Sequence, residues 1–246
     1  MDCKNKRILF MGDSITELGT SERGWVRYFN EMLTPEKYVI TAVIGARLAN
    51  ESDVQLNGQP LFCGDDTDYN QNVLLNQIEK IKNGISSGET DYDYFDIIMI
   101  AAGTNDPFSA EKCDISSIEK QFTAPDGTVL PSECVDRKTW AGAMRIIYEE
   151  LRALYKDARI FFCSPVQAAE QRRSYASIYY KRNLMKEICF RLSDVYFVDT
   201  FSCGICNIYE ANKQNGRDLI DGLHPNVSGA RKIGEYNAKA VVDILG

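Results

Sequence analysis

Five short, largely apolar runs constrain the fold of this chain more than any other feature of its sequence. Runs that lack a polar alternation are typical of strands covered on both faces, as in a parallel sheet. The predicted strands are Arg7–Met11, Tyr38–Val43, Ile97–Ala101, Arg159–Cys163 and Val195–Val198. Apolar residues recur at helical spacing between them. The predicted helices are Trp25–Leu33, Val73–Ile85, Trp140–Tyr155, Ile178–Leu192 and Val227–Leu245.

The alternation of strands and helices predicts an α/β fold with an open, doubly wound parallel sheet and right-handed crossovers. A length of 246 residues fits a single domain over residues 1–246, although length alone leaves two smaller domains open. Two long segments, 52–69 and 107–137, follow predicted strands. They are expected on the side of the sheet where such folds bind ligands.

Charge and hydropathy exclude several classes of partner. A net charge of −7 is expected to repel phosphate backbones, so no nucleic-acid partner is predicted. No run approaches the roughly 18 apolar residues that a membrane span needs. Residues 1–7 lead straight into the first predicted strand without the apolar core of a signal peptide. The chain is therefore expected to be cytoplasmic, or secreted or periplasmic if a leader has been removed.

The eight cysteines show no disulfide framework, and several lie within apolar runs, where a thiol behaves as a small hydrophobic group. Reduced thiols are the favoured interpretation. Cys203 and Cys206 have the spacing of a metal or redox pair, but no second pair and no nearby histidine completes a zinc site. No metal is predicted.

A serine follows the first predicted strand, in the segment Gly12-Asp13-Ser14. At the carboxyl end of a strand it would lie at the edge where parallel sheets carry out chemistry. Asp and Ser are also good helix N-caps, and the tripeptide by itself favours that simpler interpretation.

The sole histidine, His224, lies three residues after Asp221 and just before the last predicted helix. A serine hydroxyl is a weak nucleophile until a neighbouring base takes its proton, and imidazole suits that task near neutral pH. A carboxylate three residues away could hold the other ring nitrogen and fix the tautomer. Ser14, His224 and Asp221 are therefore the candidate catalytic residues.

Two further segments could supply hydrogen-bond donors. Asn105 follows the third predicted strand, where its amide could donate to a developing oxyanion. Gly45 follows the second, and its N–H could donate as well. Each signal is weak on its own, because glycine and asparagine are also common turn residues.

Together, these segments resemble the blocks of the GDSL or SGNH hydrolase family, in the same order and over residues 8–235. The matching segments are Gly12-Asp13-Ser14, Gly45, Gly103-Thr104-Asn105-Asp106 and Asp221-Gly222-Leu223-His224-Pro225. The resemblance implies a flavodoxin-like, three-layer α/β/α fold with a five-stranded parallel sheet of order 2-1-3-4-5. It also implies an ester or thioester hydrolase without a metal or organic cofactor.

Carried over to this sequence, the resemblance implies that Ser14 is the nucleophile, His224 the base and Asp221 the group that orients it. The oxyanion hole would consist of the Ser14 N–H, the Gly45 N–H and the Asn105 side-chain amide. Family members often have an asparagine before the glycine of the second block and a threonine soon after it. This chain has Arg47 where the threonine is expected, and we expect Arg47 to project into the pocket.

The substrate is predicted less directly. The long segments after the strands are polar with scattered aromatic residues, which suits a hydroxyl-rich alcohol. The middle of the chain also resembles bacterial members labelled carbohydrate or acetylxylan esterases. The predicted activity is therefore hydrolysis of short acyl esters, above all acetyl esters, on a sugar or oligosaccharide. Weaker candidates for substrate contact are Asp13, Arg47, Phe108, Gln167 and Arg172.

Three alternatives stay open. The first is a lysophospholipase or thioesterase with the same catalytic residues. The second is an inactive, carbohydrate-binding relative. The third, a nucleotide or flavin binder, is disfavoured because Asp13 lies where a phosphate would bind. The pair Arg172-Arg173 is interpreted first as a solvent-exposed charged pair at a helix start. The oligomeric state is not predicted.

Overall fold

The apolar runs form one parallel sheet in a computed structural model, which describes residues 4–49, 55–56, 59–60, 73–108, 113–170, 173–210 and 216–246. The strands are β1 Arg7–Gly12, β2 Lys37–Ile40, β3 Gln55–Leu56, β4 Gln59–Pro60, β5 Ile97–Ala101, β6 Arg159–Cys163 and β7 Val195–Val198. The large sheet has the order β2-β1-β5-β6-β7, and β3 pairs with β4 in a separate antiparallel ribbon. Counted along the sheet strands, this is the predicted order 2-1-3-4-5, which is confirmed.

The helices are α1 Ser14–Glu17, α2 Trp25–Leu33, α3 Leu74–Ser87, α4 Trp140–Leu154, α5 Tyr175–Cys189 and α6 Val227–Leu245. Helices α2 and α6 have the predicted bounds. Helix α5 begins three residues earlier than predicted, because the side chain of Ser174 caps it by accepting from the Ser177 N–H. Strand β2 ends at Ile40 rather than Val43, although Val43 N still donates to Gly12 O.

The continuous apolar character of the strands reflects cover on both faces of the sheet. Successive strand residues alternate between two buried clusters. Leu9, Ile98 and Phe162 pack with α3, α4 and α5 on one face, whereas Phe10 and Phe161 pack with α2 and α6 on the other. This is the three-layer arrangement that the family resemblance implies. Within the described residues, no helix combines the length and the apolar character that crossing a bilayer requires.

The strands end level with one another, which brings the following segments to one edge. Gly12 lies opposite Ala101 in the register, and Ala101 lies opposite Cys163. A Cβ atom on Gly12 would lie 2.3 Å from the Ala101 carbonyl oxygen, so only glycine fits at this strand end. The segments that begin at Asp13 and at Ala102 therefore start side by side.

Candidate active site

Asp13, and not Ser14, caps helix α1. The Asp13 side chain accepts a hydrogen bond of 3.0 Å from the Ile15 N–H. Ser14 is the first residue of this helix, where a backbone N–H has no acceptor within the helix. The capping role that the tripeptide suggests thus falls to the aspartate, which leaves the serine hydroxyl available to another partner.

That partner is His224. The Ser14 Oγ lies 3.0 Å from His224 Nε2, and His224 Nδ1 lies 2.7 Å from Asp221 Oδ2. The other carboxylate oxygen of Asp221 accepts from the backbone N–H groups of His224 and Leu223, at 2.7 and 2.9 Å. Burial opposes ionisation of Asp221, but these hydrogen bonds outweigh it and lower its pKa. The structure brings the three predicted catalytic side chains together.

The segment Asp221–Pro225, hereafter the histidine loop, is short and held mainly by its own neighbourhood. The Ile220 N–H donates to the His224 carbonyl at 2.9 Å, which closes the loop. Gly222 has a φ of +81°, a conformation that favours glycine. Its carbonyl accepts from the Ala169 N–H at 2.8 Å, which connects the loop to the segment after β6.

The two predicted donors, Gly45 and Asn105, also come together. Gly45 has a φ of +75° and lies in a turn that the Ala46 N–H closes on Val43 O. Asn105 Nδ2 donates to Ala46 O at 3.1 Å, directly beside Gly45. An amide nitrogen carries two hydrogens, and within the described residues the second one has no acceptor, so it is available to a ligand.

Asp106 fixes the segment that follows Gly45, a role that the sequence patterns do not indicate. Its two carboxylate oxygens accept from the Leu48 and Ala49 N–H groups, each at 2.9 Å. The side chain is buried. The segment Gly103–Asp106, hereafter the β5 loop, therefore holds the glycine segment through both Asn105 and Asp106.

Gln77, on α3, is a second residue that the sequence patterns miss. Its amide donates to Gly12 O at 2.6 Å and accepts from Gly12 N at 3.1 Å, and the side chain is buried. One side chain thereby holds both polar backbone groups two residues before Ser14. An amphipathic helix pattern gives no sign of such a contact, since it shows only that α3 packs on the sheet.

The weaker candidates have different surroundings. The Asp13 carboxyl is 1% exposed, so it presents no surface to a substrate, and its place in the structure is that of a helix cap. Gln167 donates to Phe201 O and accepts from the Asn207 N–H, which engages both ends of its amide. Phe108 is half exposed and packs edge-on against Tyr180.

Two arginines complete the set of predicted residues. Arg47 is half-buried, and its carbonyl accepts from the Leu74 N–H. Arg172 lies outside the described residues. The interpretation of its neighbour Arg173 as a solvent-exposed charge is wrong. The Arg173 guanidinium donates to Asn105 Oδ1 at 2.8 Å and to Thr104 O at 3.0 Å.

Burial makes the carboxyl group of Asp13 a weaker acid than that of an ordinary aspartate. Removal from water raises the pKa of its carboxyl to about 6, against the lowering effect of the Ile15 N–H, the Thr104 side chain and His224. Asp106 raises it further. The residue before Ser14 is therefore a buried carboxyl group that binds its proton more tightly than an exposed aspartate does.

A hydroxyl, an imidazole and a carboxylate joined by hydrogen bonds, with amide donors nearby, form the arrangement with which hydrolytic enzymes activate a serine. Comparison with known proteins agrees with this class. The model of the GDSL-like lipase/acylhydrolase family matches residues 10–232. The chain belongs to this family and is a carboxylic ester hydrolase.

Solved structures share the fold at low sequence identity. A protein from Chitinophaga pinensis described as a possible lipase matches with a TM-score of 0.60 and 17% identity, over 98% of this chain and 99% of that one. A carbohydrate acetylesterase from Sinorhizobium meliloti matches with a TM-score of 0.57 and 16% identity, over 98% of this chain and 100% of the other. No curated protein sequence matched the chain.

Proposed function

We propose that this protein is a serine esterase that removes short acyl groups, acetyl above all, from a carbohydrate through an acyl-enzyme on Ser14. The observation that carries the proposal is the contact of 3.0 Å between Ser14 Oγ and His224 Nε2, continued by 2.7 Å to Asp221. These distances lie within the range over which a base can take a proton from a nucleophile.

In the first step, Ser14 Oγ attacks the ester carbonyl carbon while its proton passes to His224 Nε2. The carbonyl π bond opens and its electron pair moves onto the oxygen. The Ser14 N–H, the Gly45 N–H and the free Asn105 amide hydrogen are the donors for this oxyanion. Asp221 holds His224 Nδ1 and favours the imidazolium that forms. The intermediate then expels the alcohol, which takes its proton from His224.

The second step reverses these roles. A water molecule gives a proton to His224 Nε2 and attacks the carbonyl carbon of the acyl-enzyme. The second tetrahedral intermediate uses the same donors as the first. Its collapse breaks the bond to Ser14 Oγ, which takes back the proton from His224 and releases the carboxylic acid.

The choice of a short acyl group and a carbohydrate has two supports. The segments that follow the strands are polar, as hydroxyl-rich ligands require. One protein of the same fold is a carbohydrate acetylesterase.

Labelling by a fluorophosphonate tests the nucleophile. Wild-type protein is expected to react covalently, and Ser14→Ala is expected to lose the label. Ser164→Ala is the matched control, since Ser164 lies at the same sheet edge but its hydroxyl oxygen accepts from the Phe201 N–H. It should label as the wild type does. A wild-type protein that takes no label would favour an inactive, carbohydrate-binding relative.

A substrate panel tests the specificity. Rates of hydrolysis of p-nitrophenyl acetate and decanoate are compared, together with acetate release from acetylated xylo-oligosaccharides. The acetate and the sugar esters are expected to be the better substrates. A clear preference for decanoate would replace this proposal with a lysophospholipase or thioesterase activity of the same site.

A further inference from the structure

The β5 loop, residues 103–106, directs one oxygen from each of its four residues toward two cationic side chains. Lys181 Nζ donates to Gly103 O at 3.0 Å and to Asp106 O at 2.6 Å. Arg173 donates to Thr104 O and to Asn105 Oδ1. Arg173 lies just before helix α5 and Lys181 lies within it, so a single element of the fold holds the whole loop.

Lys181 is 2% exposed, which is exceptional for a lysine, and its ammonium group lies 5.8 Å from the centre of the Trp140 ring. Burial lowers its pKa, while the carboxylate of Asp106 opposes this shift. A buried ammonium group is costly unless strong acceptors surround it. The two loop carbonyls are such acceptors, so Lys181 and the β5 loop hold each other in place.

Arg173 decides which way the Asn105 amide points. The two ends of an amide are exchanged by a half-turn of the side chain, and the wrong orientation would place an oxygen where the oxyanion binds. A guanidinium group only donates hydrogen bonds, so Arg173 can bind the Oδ1 atom of Asn105 but cannot bind its amide nitrogen. The Ala46 carbonyl, on the other side, only accepts and selects Nδ2. Both contacts favour the orientation in which the amide nitrogen faces the Ala46 carbonyl, next to Gly45 in the chain.

Charge contributes in the same direction. Arg173 forms an ion pair with Glu170, yet it keeps two donors for the loop. A cation bound to the amide oxygen polarises the amide and makes its hydrogens stronger donors. The benefit to a developing oxyanion exceeds that to a neutral carbonyl, because the oxyanion carries a full charge.

We propose that Arg173 and Lys181 are positioning residues that hold the Asn105 amide in the oxyanion-binding orientation, and this inference rests on the proposed esterase function. Neither side chain is assigned a contact with substrate. Loss of either should therefore lower kcat, through Asn105, and should leave KM nearly unchanged.

A double-mutant cycle on p-nitrophenyl acetate tests the inference. Asn105→Ala is expected to lower kcat about 100- to 1,000-fold, as loss of an oxyanion donor does elsewhere. Arg173→Met is expected to lower kcat about 10- to 100-fold, with KM changed by less than about threefold. In the Asn105→Ala background, Arg173→Met should have little further effect, because the amide through which it acts is gone. Effects that multiply in the double variant would overturn the inference.

Arg182→Met is the matched control. Arg182 lies on α5, one residue after Lys181, and its guanidinium pairs with Asp199 instead of the β5 loop. The charge change is the same as in Arg173→Met, but kcat should stay within about twofold of the wild type, since no contact to Asn105 is lost. An equal loss in both variants would reduce Arg173 to a contributor to helix stability and contradict the proposal.

Two further outcomes are decisive. If Arg173→Met does not fold, Arg173→Lys serves in its place, because it keeps the charge but cannot hold two loop oxygens with a planar fork. An unchanged kcat in that variant, or in Arg173→Met, overturns this inference but leaves the esterase proposal standing. A wild type without Ser14-dependent turnover overturns the esterase function and this inference with it.

Discussion

The histidine loop and the β5 loop both contribute residues to the candidate site, and they are built in different ways. In the histidine loop, the functional partners are three residues apart, and the side chains of His224 and Asp221 are 33% and 52% exposed. In the β5 loop, the contacts from Arg173 and Lys181 come from 68 to 78 positions away, and the cation Lys181 is buried.

The difference separates two demands of the chemistry. An acid–base pair needs only correct mutual geometry and access to water, which a short loop provides. An oxyanion donor must not relax when charge develops, so it benefits from a rigid, partly dehydrated support. Changes in the histidine loop are therefore expected to affect rate more than stability, whereas changes beneath the β5 loop should affect rate and stability together.

The largest effect is expected for His224→Ala. We expect kcat to fall at least about 10,000-fold, since loss of a catalytic base has effects of this size and the chain has no second imidazole. The free energy of unfolding should change by less than about 1 kcal/mol, because the His224 side chain is 33% exposed and its hydrogen bonds go to two other partly exposed side chains. Ester hydrolysis and urea denaturation measure the two quantities. Near-normal turnover would refute the role of the imidazole.

Lys181→Met should behave differently from a variant of the histidine loop. Two buried carbonyls lose their donor, so the free energy of unfolding is expected to fall by about 3 to 5 kcal/mol. A drop in kcat should accompany it. Lys186→Met on the same helix is the control, because the Lys186 ammonium lies over the Phe190 ring and not beneath the β5 loop. A Lys181 variant as stable as this control would remove the distinction between the two loops.

Asp13→Asn tests how the buried carboxyl group of Asp13 changes the stability of the protein with pH. The pKa of Asp13 is 3.8 when unfolded and about 6 when folded, so the folded state loses stability as pH rises from about 4 to 6. The variant avoids this loss and should be more stable than the wild type at pH 8, by at most about 3 kcal/mol. The advantage should vanish near pH 4. Thermal unfolding across this range measures it.

Asp221→Asn provides the opposite sign. The pKa of Asp221 is lowered on folding, so its ionised form stabilises the protein above the ordinary aspartate range and loses that effect as pH falls. This variant should be less stable than the wild type at pH 8, with a difference that shrinks in acid. The same sign of change in both variants would contradict the contrast between the carboxyls.

The sequence predicts the sheet well because its strands are covered on both faces and read as continuous apolar runs. It also predicts that Ser14, Asp221 and His224 come together, since a short motif surrounds each of them. The sequence does not predict the start of helix α5 correctly. Ser174 caps this helix, but in the sequence it looks no different from the other polar residues around it.

The supporting residues could not be predicted for a different reason. Arg173, Lys181 and Gln77 all donate to oxygens that lie far away in the chain, most of them on the backbone. Any residue type can offer a backbone oxygen, so the partner leaves no mark on the sequence. Charge at Arg173 and Lys181 instead resembles an ordinary solvated helix surface. Only the fold shows that these side chains point inward.

The hydroxyl of Ser14 and the ring of His224 are separated by 210 positions. The ribosome must therefore synthesise every strand of the sheet before the Ser14 hydroxyl and the His224 ring can come into contact. In an incomplete nascent chain, Ser14 would lack its base, and the chain would not hydrolyse esters. During refolding, the onset of hydrolysis would report the contact between Ser14 and His224. It would come later than spectroscopic signals that follow formation of the sheet.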